Sequence, residues 1–155
     1  MSVGPRCRDP RVTRWLYLVA AITFCLIVAG GFVRLTRSGL SIVEWNPVHG
    51  VLPPMTGQDW LSEFAKYQET PEFRTVNHAM TIEGYRRIFY VEWAHRLIAR
   101  IAGLAVVLPL LVFMVRGVIP WRQSGVFVGI ALLFGFQGVL GWFMVSSGLL
   151  DRPSV

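Results

Sequence analysis

Three long apolar segments dominate the pattern of hydrophobic and polar positions along the chain. The first, 15–33, contains no charged residue, and the third, 126–146, contains a single amide, Gln137. The second, 91–115, carries Arg100 early in its apolar run and a proline near its end, and a spanning helix tolerates both where neighbouring helices cover them. Because a bilayer core requires about 20 apolar residues per helix, the pattern predicts three transmembrane helices.

The segment between the first two spans, 34–90, changes character along its length. It opens with a stretch rich in Gly, Pro and Ser, which favours turns and extended backbone. Thr56 then stands three residues before Asp59, as in a capping box, and aromatic and aliphatic residues follow at helical spacing. We therefore predict a short amphipathic helix over 57–68, and its aromatic residues favour a position on the membrane surface.

The same segment contains two further signals for the start of a helix. Thr70 before Pro71 predicts another turn or two of helix. Thr81 is a suitable N-cap for a helix that starts near 82 and leads directly into the second span. Three parts of the chain lie outside the spans and this loop. They are a basic inner tail (1–14), an inner link (116–125) and an outer end (147–155).

Composition and charge assign the chain to the membrane and orient it there. A hydrophobic fraction of 54% and a mean hydropathy of +0.51 exclude an ordinary soluble domain. The net charge of +6 does not indicate nucleic-acid binding, because arginines cluster in the tail and in the inner link. By the positive-inside rule both segments lie inside, with the N-terminus, and the 34–90 loop lies outside. We predict the bacterial inner membrane, with the mitochondrial inner membrane as the alternative, since the tail is short for a transit peptide.

The first span and the two cysteines leave one alternative open. A cleaved signal peptide would also place a basic region before an apolar run, but this run is longer than a typical signal-peptide core. Cys7 lies in the tail and Cys25 within the first span, so neither is placed where an exported disulfide forms.

The hexapeptide VEWAHR, residues 91–96, places three ionisable side chains where the second span begins. Ionisable groups at membrane depth are costly, so a functional role is the first hypothesis to test. Glu92 and His95 share a helix face with the small Ala99 and Ala102, which leaves room for a flat ligand. His95 is a candidate ligand of haem iron, a proton carrier or a structural residue. Glu92 is a candidate either for the partner that orients the imidazole or for a separate proton carrier.

Other polar residues near the same outer face are further candidates for binding a haem. A guanidinium binds carboxylates such as haem propionates in a bidentate manner, although snorkelling to the interface is the alternative for each arginine. Gln137 is a candidate hydrogen-bond donor to a haem or to a neighbouring helix. Met144 is another familiar type of haem ligand, with packing as the alternative, and we interpret His49 and His78 as loop residues. The arginines concerned are Arg34, Arg37, Arg96 and Arg100.

Taken together, the motifs GGFVRLTRSGLSIVEWNPVHGVLPP, IFYVEWAHRLIAR and FQGVLGWFMVSSGLLDRPSV resemble the haem A synthase family in its proteobacterial and mitochondrial form, over residues 28–155. The resemblance implies oxidation of the C8 methyl of haem O to a formyl group, giving haem A for terminal oxidases. It makes His95 an axial ligand of the haem iron, gives Glu92 a catalytic role and includes Arg96 in the same motif. It also implies a haem b cofactor in the second half of the family's fold.

The resemblance has consequences for architecture and partners. The family's fold is an all-α membrane protein of eight helices in two similar halves, so three spans would form an incomplete half of a pseudo-two-fold bundle. The sequence stops at DRPSV, and we expect such a chain to be inactive alone. The implied partners are haem O, haem O synthase, oxidase maturation factors, the lipid bilayer and a second copy of the chain.

Two hypotheses from other functional classes stay open. A b-type electron carrier would use His95 together with a ligand from a partner chain. An assembly or interaction protein would bind the oxidase-maturation machinery through the 34–90 loop and would need no haem. Replacement of His95 by Ala separates the two, because only the assembly protein should be unaffected.

Overall fold

Every regular element in the described part of the chain is helical. The structure, a computed structural model, describes residues 9–44 and 49–150, without the side chains of His49 and Leu150. The predictions on the tail residues 1–8, including Cys7, and on 151–155 lie outside it. The helices are α1 (Pro10–Leu35), α2 (Gly57–Gln68), α3 (Pro71–Thr75), α4 (Ile82–Val115) and α5 (Gly125–Leu150), with 3-10 turns at His49–Val51 and Trp121–Gln123.

The predicted all-α membrane class is confirmed for the described residues. Helices α1, α4 and α5 are long and apolar enough to cross a membrane. Helix α4 has 34 residues, which corresponds to about 50 Å at 1.5 Å per residue. It is therefore longer than the hydrocarbon core of about 30 Å requires. The described chain falls into two compact units, each of which includes part of α1, α4 and α5.

The first unit, Met1–Ile27 with Ile98–Gly138, has an apolar core centred on Trp15. The indole Nε1 of Trp15 donates a hydrogen bond of 2.7 Å to the carbonyl oxygen of Ala105, so the one polar atom of this side chain is satisfied. Phe113 packs edge-on against the Trp15 ring at a centroid distance of 5.6 Å. The other buried members of this core are Val12, Val19, Val106, Leu110, Met114 and Ile119.

The second unit, Val28–Leu97 with Val139–Val155, is organised around aromatic side chains. The predicted capping box is present, because the Thr56 hydroxyl accepts from the Asp59 N–H and the Asp59 carboxylate accepts from the Thr56 N–H. Trp60 of α2 is buried against the aromatic residues at the start of α4. The aromatic face of α2 that the sequence assigned to the membrane surface is thus covered by protein, because these rings gain more by packing edge-to-face.

Candidate functional site

The chain turns back towards α4 immediately after α1. The Ser38 N–H bonds to the Val33 carbonyl at 3.0 Å and the Arg37 N–H to the Arg34 carbonyl at 3.2 Å, which is a Schellman motif. Arg37 occupies the left-handed position of this motif with φ of 50°, where glycine is usual. The motif directs the next residues into the interior of the unit, and Ser38 and Ser41 are 0% and 1% exposed.

The carboxylate of Glu92 holds this returning segment. Its Oε2 accepts from the Ser41 N–H at 2.7 Å, from the Ser41 hydroxyl at 2.7 Å and from the Ile42 N–H at 2.9 Å. Its Oε1 accepts from the guanidinium of Arg96, one helical turn further along α4. Glu92 is only 2% exposed, so its burial is compensated by four donors, as a buried charge requires.

Two more side chains of α4 bind the same two residues of the loop. Arg96 Nη2 donates to the Ile42 carbonyl at 3.1 Å. The buried Tyr85 donates its hydroxyl to the Ser41 carbonyl at 3.2 Å. The donors and acceptors of Ser41 and Ile42 therefore face α4, and we call this set of contacts the Glu92 clamp. Its members are Ser41, Ile42, Tyr85, Glu92 and Arg96.

His95 lies on the same helix but outside the clamp. Its imidazole is half-buried and makes no hydrogen bond among the described residues. Its Nε2 faces Gly30 of α1, where an added Cβ would lie 3.2 Å from that nitrogen. Glu92 does not orient the imidazole of His95 in this structure, because the Glu92 oxygens accept hydrogen bonds from Ser41, Ile42 and Arg96.

The remaining predicted site residues are more exposed. Arg34 is exposed in the last turn of α1, and Gln137 and Met144 are exposed on α5. Arg100 is partly buried, and His78 is exposed in the turn before α4. The structure thus brings Glu92, His95 and Arg96 together with the loop after α1. No group of three or more His, Cys, Asp or Glu side chains suited to a metal ion occurs among the described residues.

A family comparison and a search of characterised proteins agree on what this chain resembles. The model of the cytochrome oxidase assembly protein family matches residues 13–155. The chain belongs to this family. No solved structure matches it.

Several bacterial members of the family are about half identical to it. Heme A synthase of Mesorhizobium japonicum is 50% identical over 97% of this chain and 42% of the relative. Heme A synthase of Rhizobium leguminosarum bv. trifolii is 51% identical over 99% and 42%, and that of Caulobacter vibrioides is 49% identical over 96% and 43%. The chain spans less than half the length of the curated relatives it matches.

Two residues of the candidate site and one buried carboxyl group outside it have no recognisable signal in the sequence. Ser41 lies in a stretch whose composition indicates a loop, and nothing local marks it as a neighbour of Glu92. Gly30 lies in an apolar helix, and nothing local marks it as a neighbour of His95. Glu72 stands in the first turn of α3, where an acidic residue is common on exposed surfaces, and the structure buries it to 4% exposure.

Proposed function

We propose that this chain is the part of a haem A synthase that binds a haem substrate at the outer face of a bacterial inner membrane, with its N-terminus inside. Its family membership and its similarity to proteins named Heme A synthase support the proposal. The observation that carries it is the imidazole of His95, half-buried on a membrane helix and without a hydrogen-bond partner among the described residues.

The His95 environment fits an axial haem ligand. Haem iron binds a ring nitrogen of a neutral imidazole, so that nitrogen must not be engaged by another protein group. Nε2 of His95 makes no hydrogen bond among the described residues, and Gly30 of α1, which it faces, has no side chain. The adjacent Gly31 has open space where a side chain would be.

The other predicted residues take complementary roles in the proposal. Glu92 is the catalytic carboxylate, held one turn from His95 by four hydrogen bonds. The guanidinium groups near the outer face are suited to the two propionates of the substrate, and Gln137 to a polar edge of the macrocycle. The arginines in this role are Arg34, Arg96 and Arg100.

The proposed reaction is a four-electron oxidation of the C8 methyl of haem O by an external oxidant. Two successive hydroxylations give a geminal diol, which loses water to form the formyl group of haem A. A haem b cofactor, which would supply one-electron chemistry, belongs in the proposal to the second half of an eight-helix bundle with pseudo-two-fold symmetry. Haem O synthase and oxidase maturation factors are the proposed partners, because they would deliver the substrate and receive the product.

Replacement of His95 by Ala tests the haem site directly. The full chain, purified in detergent, is titrated with haem O and followed by its absorption spectrum. We expect the His95→Ala variant to lose at least about 100-fold in affinity, since a metal–ligand bond is removed. The matched control is His78→Ala, which removes an exposed imidazole of the outer loop and should bind as the parent does. Equal binding by parent and His95→Ala would refute the proposal.

Replacement of Gly30 by Ala tests whether access to Nε2 matters. The added Cβ would lie 3.2 Å from that nitrogen, so the imidazole has to move by a few tenths of an ångström. We expect haem affinity to fall about tenfold, or 1.4 kcal/mol. Gly31→Ala is the control, because a Cβ there meets nothing within 4 Å. Equal losses in the two variants would show that the effect comes from helix packing and not from His95.

A further inference from the structure

Glu72 is a buried carboxyl group that the proposed reaction does not use. It lies in the first turn of α3, is 4% exposed, and its side chain makes no hydrogen bond or ion pair among the described residues. Burial without a partner is costly for a carboxylate, and the usual response of such a group is to take up a proton. Glu92, by contrast, accepts hydrogen bonds from four donors.

The charges that act on Glu72 come from two other elements of the second unit, Arg37 in the turn after α1 and Glu92 of α4. The charge of Glu72 in turn acts on Tyr67 of α2. Burial raises the pKa of Glu72 above the ordinary carboxyl range, Arg37 opposes this and the charge of Glu92 adds to it. Burial also raises the pKa of Tyr67 to about 12, so this phenol stays neutral.

The second unit therefore contains two locally unfavourable features. A non-glycine residue in the left-handed region is unfavourable, and Arg37 occupies that region with φ of 50°. The charge of Arg37 acts on Glu72, the second costly residue. Strained backbone and perturbed carboxyl groups concentrate at functional sites, and both occur in the unit that contains the Glu92 clamp, which points to a role for Glu72.

The donors around Glu92 identify which of the two carboxyl groups exchanges a proton. Three N–H or O–H groups of the loop and the Arg96 guanidinium all donate to Glu92, and such a set matches a carboxylate, which only accepts. We propose that Glu72 is a proton-exchange site of the outer segment, which takes up a proton from water and releases it to water, while Glu92 remains a fixed negative charge that favours the protonated form of Glu72. A contribution to haem oxidation would rest on the proposed function, but the proton site itself does not.

Infrared titration of the haem-free full chain tests this proposal independently of haem. We expect a protonated-carboxyl band that persists above the pH at which exposed carboxyl groups ionise and that Glu72→Gln abolishes. Glu69→Gln, which changes an exposed glutamate three residues earlier, should leave the band intact. A band that survives in Glu72→Gln, or a parent chain without one, would overturn the proposal.

The coupling to the neighbouring charges is measured with two more variants. Glu92→Gln should move the titration of the Glu72 band to lower pH, and Arg37→Gln should move it to higher pH, because the Glu92 charge raises the pKa of Glu72 and the Arg37 charge lowers it. Arg37→Gln changes an exposed side chain, so it remains informative if Glu92→Gln does not fold. An unchanged titration in Arg37→Gln would overturn the coupling. Failure of the parent to bind haem would refute the proposed function and leave this result standing.

The pH dependence of thermal unfolding is a second test of whether Glu72 takes up a proton in the folded state. A carboxyl group with a raised pKa in the folded state binds more protons when folded than when unfolded, so the free energy of unfolding falls as pH rises between the two pKa values. Glu72→Gln removes this loss. We expect the variant and the parent to melt together in acid, and the variant to melt at a higher temperature than the parent once Glu72 is ionised. A difference that does not change with pH would contradict the proposal.

Discussion

Replacement of Glu92 by Ala should lower the free energy of unfolding of the second unit by about 3–5 kcal/mol, because it breaks a buried ion pair by removing one partner. The carboxylate is the acceptor for both donors of Ser41 and for the Ile42 N–H, all of them buried or half-buried. Without it these groups lose their partner in a place that water reaches poorly. The loop of residues 38–43 should then detach from α4.

The measurement combines thermal unfolding in detergent with limited proteolysis of the 38–43 loop. Glu92→Gln retains one oxygen acceptor and should lose about half as much stability, since a neutral amide forms weaker bonds to the same donors. The control is Glu83→Ala, which removes an exposed carboxylate from the first turn of the same helix. If Glu92→Ala melts with the parent and its loop resists protease, the clamp does not hold the loop.

The helices of this protein could be predicted because the signals that define them are local. The threonine caps before α2, α3 and α4 lie within a few residues of the helices they start, and the three long apolar runs need only their length and composition to be recognised. The position of α2 at the membrane surface stays a prediction, but protein covers two of the aromatic side chains on which it rests, Trp60 and Tyr67. Helical spacing shows that Trp60 and Tyr67 share a face, but it does not show whether lipid or protein meets that face.

Only the part of the candidate site that lies on α4 could be predicted from the sequence. The spacing of Glu92 and His95 follows from helical periodicity. The loop partners of Glu92, Ser41 and Ile42, lie about 50 residues earlier in the chain, in a segment whose Gly- and Ser-rich composition indicates turns but no specific contact. Burial of Glu72 depends likewise on how α3 packs, and an acidic residue in the first turn of a helix is common on exposed surfaces.

Trp60 provides the test of how α2 is attached to α4. Its ring lies 5.0 Å from that of Phe89 and 5.3 Å from that of Tyr90, and the Arg86 guanidinium carbon lies 5.1 Å from its centroid. We expect Trp60→Ala to lower the free energy of unfolding by about 3–5 kcal/mol, as large-to-small changes of buried aromatic residues do.

The neighbouring Leu61→Ala change is the matched control for this prediction. Leu61 is 61% exposed, so its loss should stay within about 0.5 kcal/mol. Hydrogen exchange of the α2 amides should rise in Trp60→Ala, since the rings that hold α2 against α4 are gone. None of the hydrogen bonds of the Glu92 clamp comes from α2, so protease resistance of the 38–43 loop should persist in Trp60→Ala. Loss of both α2 and the loop in this variant would instead show that the aromatic cluster and the clamp unfold as one unit.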